Sequence, residues 1–469
     1  MNITKILSFS IGSFGTAIIG LVTIPLVAWH FSSEDVGRIA LLQSLLSLSV
    51  VLTTLGLDQA YIREVYEEEN EIRLIKNCIT PSIILIGLIL FIVFFTDLVA
   101  IVFDYEDTGS TALVISASVL CEYLNRFISV KMRMDGRANL YSLITITPKL
   151  VFLVALIAIS TYGARNFTGI VYSYFISHVF ALLIGLAVYK SVVIDCFFEK
   201  THWRETKRLL KYGFPLFISG LCFWGVTGLD RFMVKELSGL EELAIYSLAF
   251  NFSAAGLVLQ AVFSVVWAPI VYKWATEDGC ERKISMTLRY IMIVVISIHC
   301  STGIFAPFIG HILPAKYELV VPLVVCCISY PLIYILSEIS SIGINIKRKT
   351  GWNIVITIIS VFFNVLVNFA LIPSYGAAGA SIATSLTFLL YMVMKTEISN
   401  MIWYRISMEK NYATIFSVNI LAVLVVYFDL EYDYKVQVGW LFVLIVCFIV
   451  LTRREDFVRI RYLIRGSNE

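Results

Sequence analysis

Residues 137–164, RANLYSLITITPKLVFLVALIAISTYGA, and residues 350–377, TGWNIVITIISVFFNVLVNFALIPSYGA, decide the fold class. Each follows a short basic segment, runs through an apolar stretch and closes on Tyr-Gly-Ala. At a rise of about 1.5 Å per residue, about 20 apolar residues cross the hydrocarbon core of a bilayer. Backbone amides find no water there, so a helix is the expected solution. Working outward from these two segments, about fourteen such stretches fill the chain, from 6–30 to the short pair 411–428 and 437–452. Composition agrees, with 59% hydrophobic and only 15% charged residues, where soluble domains carry about 25% charged. The sequence therefore predicts an all-α integral membrane protein.

The connections between stretches alternate in charge. Those of one parity hold clusters such as Arg63, Arg73 and Lys76, then Lys131, Arg133 and Arg137, then Lys190 to Lys211. The same parity continues with Lys347, Arg348 and Lys349, with Lys395, Arg405 and Lys410, and with the tail from Arg453 to Arg465. The other parity holds only Arg38, Arg165, Lys235, Lys316 and Lys435. Excess Lys and Arg marks cytoplasmic connections, so both termini are expected in the cytoplasm of a multi-pass protein. That demands an even number of spans: fourteen, or twelve if the two weakest stretches do not cross. The first run, 6–29, has no small-residue cleavage signal and reads as a retained helix. A net charge of +2 gives no reason to expect a nucleic-acid partner. Nine Cys and five His show no zinc or haem spacing. No Gly-Lys-Ser/Thr loop is present, so the chain itself is not expected to use ATP.

The two opening segments also define a repeat. Tyr162-Gly163-Ala164 and Tyr375-Gly376-Ala377 lie 213 positions apart. VGRIALLQSLLSLS (36–49) similarly echoes LAIYSLAFNFSAAG (243–256). The spacing predicts two pseudo-symmetric six-helix lobes, 1–190 and 212–398, joined by a basic amphipathic cytoplasmic linker, 191–211. Residues 399–469 would add two helices and a basic cytoplasmic tail. An even repeat keeps both lobes in one orientation, with a cavity expected between them near the bilayer midplane.

Charges inside spans are expensive, about 3 kcal/mol each on insertion scales, so each needs a reason. Arg126 follows Glu122 by one turn, and an (i, i+4) pair on one helix face is the expected arrangement. Lys149 has no partner nearby in sequence. Arg231 follows Asp230, Glu338 lies within the tenth span, and Asp58 ends the second. Asn251, Gln260, Asn364 and Asn368 recur at near-helical spacings, consistent with a polar passage or with hydrogen bonds between helices. Pro25 and Pro215 occupy the first and seventh spans, equivalent helices of the two lobes, and are candidate hinges.

Four segments carry a specific resemblance: LGLDQAYIRE (55–64), LKYGFPLFISGLCFWGVTGLDRFMVKELSGLEELAIYSLAFNF (210–252), VVWAPIVYKWA (265–275) and NVLVNFALIPSYGAAGASIATSLTFLLY (364–391). Together they resemble the polysaccharide exporter and O-antigen flippase branch, the lipid-linked oligosaccharide translocases, of the multidrug/oligosaccharidyl-lipid/polysaccharide exporter superfamily. The resemblance implies a multidrug-exporter-like fold and a transporter, not an enzyme. The implied substrate is an undecaprenyl-pyrophosphate-linked repeat unit. It would pass from the cytoplasmic to the periplasmic leaflet of a bacterial inner membrane by alternating access, for lipopolysaccharide O-antigen or another polysaccharide. No cofactor is implied beyond H+ or Na+ as coupling ion. Membrane lipids and other polysaccharide-assembly membrane proteins are the implied partners. A doubly charged headgroup crossing a low-dielectric interior needs cations, and the planar guanidinium fork suits phosphate oxygens. Arg231, Lys149 and Arg126 are thus the expected headgroup ligands. Asn251, Gln260, Asn364 and Asn368 are expected along the sugar passage, and Glu338 and Asp58 as coupling carboxylates. A multidrug or cation antiporter of the same superfamily would instead need an acidic cavity. A membrane polymerase or ligase would need a sizeable outward segment, whereas the outward connections here are short.

Overall fold

The computed structural model describes residues 3–106, 109–163, 165–277, 279–406, 408–430 and 432–451. The basic tail with Arg453 to Arg465 lies outside the described residues. Among those described, all regular structure is helical, and twelve helices are long and apolar enough to cross a membrane. One of the twelve, Gly351–Ile402, is two spans joined at Gly376. The first helix, Ile3–His30, adds another, which reconciles the twelve with the fourteen stretches in the sequence. By contacts the chain divides into two compact units, Met1–Ser247 and Leu248–Glu469.

The first unit runs through α1 (Ile3–His30), α2 (Ser33–Thr54), α3 (Leu57–Glu64), α4 (Glu71–Phe95), α5 (Leu98–Phe103), α6 (Gly109–Met134), α7 (Ala138–Tyr162), α8 (Phe167–Val188), α9 (Lys190–Phe198) and α10 (Trp203–Ser238). Helix α7 packs on α1 and α8, α6 on α2 and α8, and α10 on α2, α3 and α4. Side-chain caps set several starts. Ser32 Oγ accepts from Asp35 N at 3.1 Å, Asn70 Oδ1 from Arg73 N at 3.0 Å and Asn166 Oδ1 from Gly169 N at 3.0 Å. Between α2 and α3 the backbone turns through left-handed Leu55 and Gly56. A Cβ on Gly56 would lie 2.2 Å from the Gly213 carbonyl oxygen, so α10 crosses this turn backbone to backbone. Leu57, Tyr61, Tyr123, Phe127 and Leu209 fill the core beside the crossing.

Helix α11 (Leu240–Phe252) bridges the division of the chain. The second unit continues with α12 (Ala254–Trp274), α13 (Cys280–Phe305), α14 (Pro307–Ile312), α15 (Val320–Cys327), α16 (Ser329–Ser340), α17 (Ile342–Ile346), α18 (Gly351–Ile402), α19 (Glu409–Tyr427) and α20 (Tyr434–Leu451). The segment Ala315–Ser340 is its core element, 89% buried over its most apolar window. Trp440 of α20 is fully buried and stacks on His299 at 5.8 Å, and the His299 ring bonds the Val325 carbonyl at 2.9 Å. Helix α18 folds into a hairpin. Gly376 takes φ 52 and ψ −128, and Asn364 Nδ2 of the first limb donates to Thr387 Oγ1 of the second at 3.3 Å.

Lipid-facing stripes follow helical spacing. Ile84, Leu88, Phe91 and Phe95 are exposed along α4, and Ile358, Phe362, Leu366 and Phe369 along α18. Water would penalise such patches, whereas acyl chains solvate them.

The backbone of Gly376 lies in a region that side chains occupy only under strain. Gly376→Ala is therefore expected to destabilise the protein by about 1–3 kcal/mol, read as a lower midpoint of thermal unfolding in detergent.

Candidate functional site

Helix α6 presents Glu122, Arg126, Ser129 and Arg133 at i, i+4, i+7 and i+11, which places them on one face. Opposite stand Tyr141, Thr145 and Pro148 of α7, Val50 of α2 and His178 of α8, and together these groups line a cavity of about 260 Å³. Lys149 follows Pro148 and is half-buried.

The expected Glu122–Arg126 pair does not form. The left-handed Leu55-Gly56 turn carries Asp58, buried at the start of α3, to α6, and Arg126 Nη2 bonds Asp58 Oδ2 at 2.7 Å. Glu122 Oε1 instead accepts from Tyr174 Oη at 2.9 Å and lies 3.6 Å from His178 Nε2. The Tyr174 and His178 rings stack at 4.5 Å. Asn125 Nδ2 donates to the His178 carbonyl at 2.9 Å. Asn125 Oδ1 and His178 Nδ1 are buried with no hydrogen-bond partner. Of the charged groups that line this cavity, the cations Arg126 and Arg133 outnumber the carboxylate Glu122, so the site favours an anion. Arg133 reads in the sequence as a loop cation. Its heptad spacing from Arg126 is the signal that places it here.

A second polar cluster lies in the second unit. Ser264 Oγ donates to Glu338 Oε2 at 2.6 Å, and Trp267 Nε1 to the Glu338 carbonyl at 3.3 Å. Lys395 is buried, with its ammonium 4.8 Å from the Tyr391 ring centroid and 5.7 Å from that of Tyr334. Grouping Lys395 with the loop cations needs correction, because the second limb of α18 continues to Ile402. Tyr391 one turn before it, and Tyr334 one turn before Glu338, are the sequence signs of this cluster.

The remaining candidates are dispersed. Arg231 on α10 donates from Nη1 to the Thr227 carbonyl at 2.8 Å and is not among the residues lining the cavity. Its neighbour Asp230 is fully buried and accepts from the Tyr246 hydroxyl. Asn251 on α11 and Gln260 on α12 are half-buried. Asn364 and Asn368 are fully buried, and Asn368 Nδ2 donates to Asn364 Oδ1 at 2.9 Å. Asn364 bonds across the α18 hairpin to Thr387 and Asn368 bonds Asn364 on the same limb, so both amides are enclosed among these helices. Pro25 and Pro215 lie inside α1 and α10.

Residues 3–274, more than half of the chain, match the family described as polysaccharide biosynthesis protein. An uncharacterised membrane protein of Methanocaldococcus jannaschii is 24% identical over 459 residues, covering 88% of this chain and 87% of its own length. The probable low-salt glycan biosynthesis flippase Agl15 of Haloferax volcanii is 24% identical over 232 residues, 46% of this chain and 47% of its own length. Among solved structures, the lipid II flippase MurJ in an inward closed conformation matches with a TM-score of 0.69 at 14% identity, covering 97% of this chain and 99% of its own. An inward-facing multidrug resistance transporter of the MATE family, in the MOP superfamily, matches with a TM-score of 0.59 at 16% identity, covering 89% and 96%. These likenesses establish the all-helical fold of MurJ and MATE transporters.

Removing an interhelical hydrogen bond such as Asn364–Thr387 inside a membrane protein costs about 0.6–1.7 kcal/mol. Asn364→Leu is expected to lower the thermal unfolding midpoint in detergent by a corresponding amount.

Proposed function

Since the chain belongs to the polysaccharide biosynthesis protein family, we propose that it is a flippase for an undecaprenyl-pyrophosphate-linked oligosaccharide. The repeat unit, of O-antigen or another surface polysaccharide, passes from the cytoplasmic to the periplasmic leaflet of a bacterial inner membrane by alternating access. Both termini are cytoplasmic in this reading.

The observation that carries it is the cation-lined cavity between α6 and α7. A diphosphate leaving the headgroup layer loses hydration that only fixed cations replace. Arg133 lies near the basic Arg133–Arg137 end of α6, and Arg126 lies two turns deeper, about 10 Å along the helix at 1.5 Å per residue. Lys149 adds a point charge from α7. Arg126 is 44% exposed although paired with Asp58, so its remaining N–H groups are open to a phosphate. Arg231 serves as a further ligand at the other end of the passage. An antiporter for organic cations is disfavoured, because the positive groups of this cavity would repel its substrate. Coupling to an H+ or Na+ gradient falls to Glu338, held by Ser264, and to Asp58, whose neutralisation would free Arg126. Pro25 and Pro215 act as hinges.

Arg126→Ala, Arg133→Ala and Lys149→Ala are each expected to reduce surface glycan severalfold at unchanged protein abundance in the membrane, measured by glycan blotting of whole cells. Parental glycan levels in all of them would overturn the headgroup assignment. Glu338→Gln is expected to make flipping in proteoliposomes insensitive to an imposed proton or sodium gradient. An unaltered gradient response removes Glu338 from coupling.

A further inference from the structure

The inner end of the α6–α7 cavity contains polar atoms that the fold leaves unsatisfied. Asn125 is only 9% exposed, yet its Oδ1 has no hydrogen-bond partner, and His178 Nδ1 is likewise unmatched. Both residues line the cavity, together with Glu122, Ser129, Tyr141 and Thr145. Buried polar atoms are nearly always paired, and leaving them unpaired costs free energy in the empty site. The cost is recovered if a ligand brings matching groups. A hydroxyl matches either tautomer of the His178 ring, since it both donates and accepts, and it can donate to Asn125 Oδ1 and to the Glu122 carboxylate. The backbone holds these groups in place. Asn125 is tied to the His178 carbonyl at 2.9 Å, and the His178 ring is stacked on Tyr174, which donates to Glu122 at 2.9 Å.

We infer that Glu122, Asn125 and His178 form a subsite for the first sugar of the lipid-linked unit, the one bonded to the diphosphate. The inference rests on the flippase reading above. Its register comes from α6. Glu122 lies one turn, about 6 Å, beyond Arg126, which is the reach of a sugar ring attached directly to a phosphate held by Arg126. Size sets the limit. A cavity of about 260 Å³ falls below the 300–1,000 Å³ of sites for larger ligands, so it takes one ring and leaves the rest of the repeat outside. The flippase then inspects the sugar common to every copy of its substrate, and a site built to bond hydroxyls discriminates strongly against a headgroup that lacks them.

The test uses the full chain in nanodiscs and two probes: undecaprenyl diphosphate, and undecaprenyl diphosphate carrying a single hexose. The parental protein is expected to bind the hexose-bearing probe at least tenfold more tightly. Asn125→Leu and His178→Phe are each expected to cut that preference about tenfold, with affinity for the bare diphosphate unchanged. His178→Phe keeps the ring stack on Tyr174, so it remains informative if Asn125→Leu fails to fold. Arg126→Gln weakens both probes together. Equal parental affinity for the two probes, or a preference that survives both Asn125→Leu and His178→Phe, overturns the sugar subsite and leaves the headgroup reading standing. Failure of the parental protein to bind either probe overturns the headgroup reading itself.

Discussion

The free-energy cost of holding charge away from water governs where the buried ions among the described residues sit. Lys131, buried on α6, reaches Glu71 at 2.6 Å and Asp135 at 3.2 Å. Tyr61 and Tyr189 donate to the same two carboxylates, each at 2.6 Å. Arg38 spends its guanidinium on Asp35, Glu34 and the carbonyls of Phe103 and Asp104. Lys235 bonds Asp104, Glu236 and the Ile101 carbonyl. Among these the Arg38–Asp35 pair is buried on both sides, and removing one partner of such a pair costs about 3–5 kcal/mol, because the survivor is stranded. These networks are therefore structural fixtures. The α6–α7 cavity differs in kind: there the cations are in excess and Arg126 is only half covered.

Burial and exposure divide the helices in the same physical terms. Helices α4 and α18 turn aromatic and branched side chains outward, where lipid receives them at no penalty. Polar side chains on the inner faces bond their own helix backbone, as Thr357 does to Asn353, or a neighbouring helix, as Ser385 does to Asn419 at 3.1 Å. Association of helices in lipid rests on close packing and such bonds, since apolar burial gives no advantage over acyl chains.

Hydropathy made the helical class and the span count legible in the sequence, because length against bilayer thickness is a one-dimensional property. Tyr162-Gly163 falls where α7 ends and Tyr375-Gly376 where α18 bends. The site was legible only in its residue types. Arg126 was visible as a charge in a span, but its partner Asp58 lies 68 positions away and is delivered by a left-handed turn that no spacing rule encodes. Arg133 and Lys395 were hidden among loop cations because hydropathy places helix ends too early when the last turns carry charge. Asn125 drew no notice at all, since an unmatched amide oxygen becomes visible only once the surrounding donors have been placed.

The α18 elbow has a consequence for how this chain tolerates changes in length. In the first Tyr-Gly-Ala segment α8 has a start of its own, with Asn166 Oδ1 accepting from Gly169 N at 3.0 Å. The second copy has a single glycine between limbs whose amides and hydroxyls must meet in register. One added or deleted residue there rotates the entire following limb by about 100°, turning Thr387 away from Asn364 and Lys395 away from Tyr334 of α16. Residue count at that elbow is thus constrained as the meeting of Asn364 and Thr387 is.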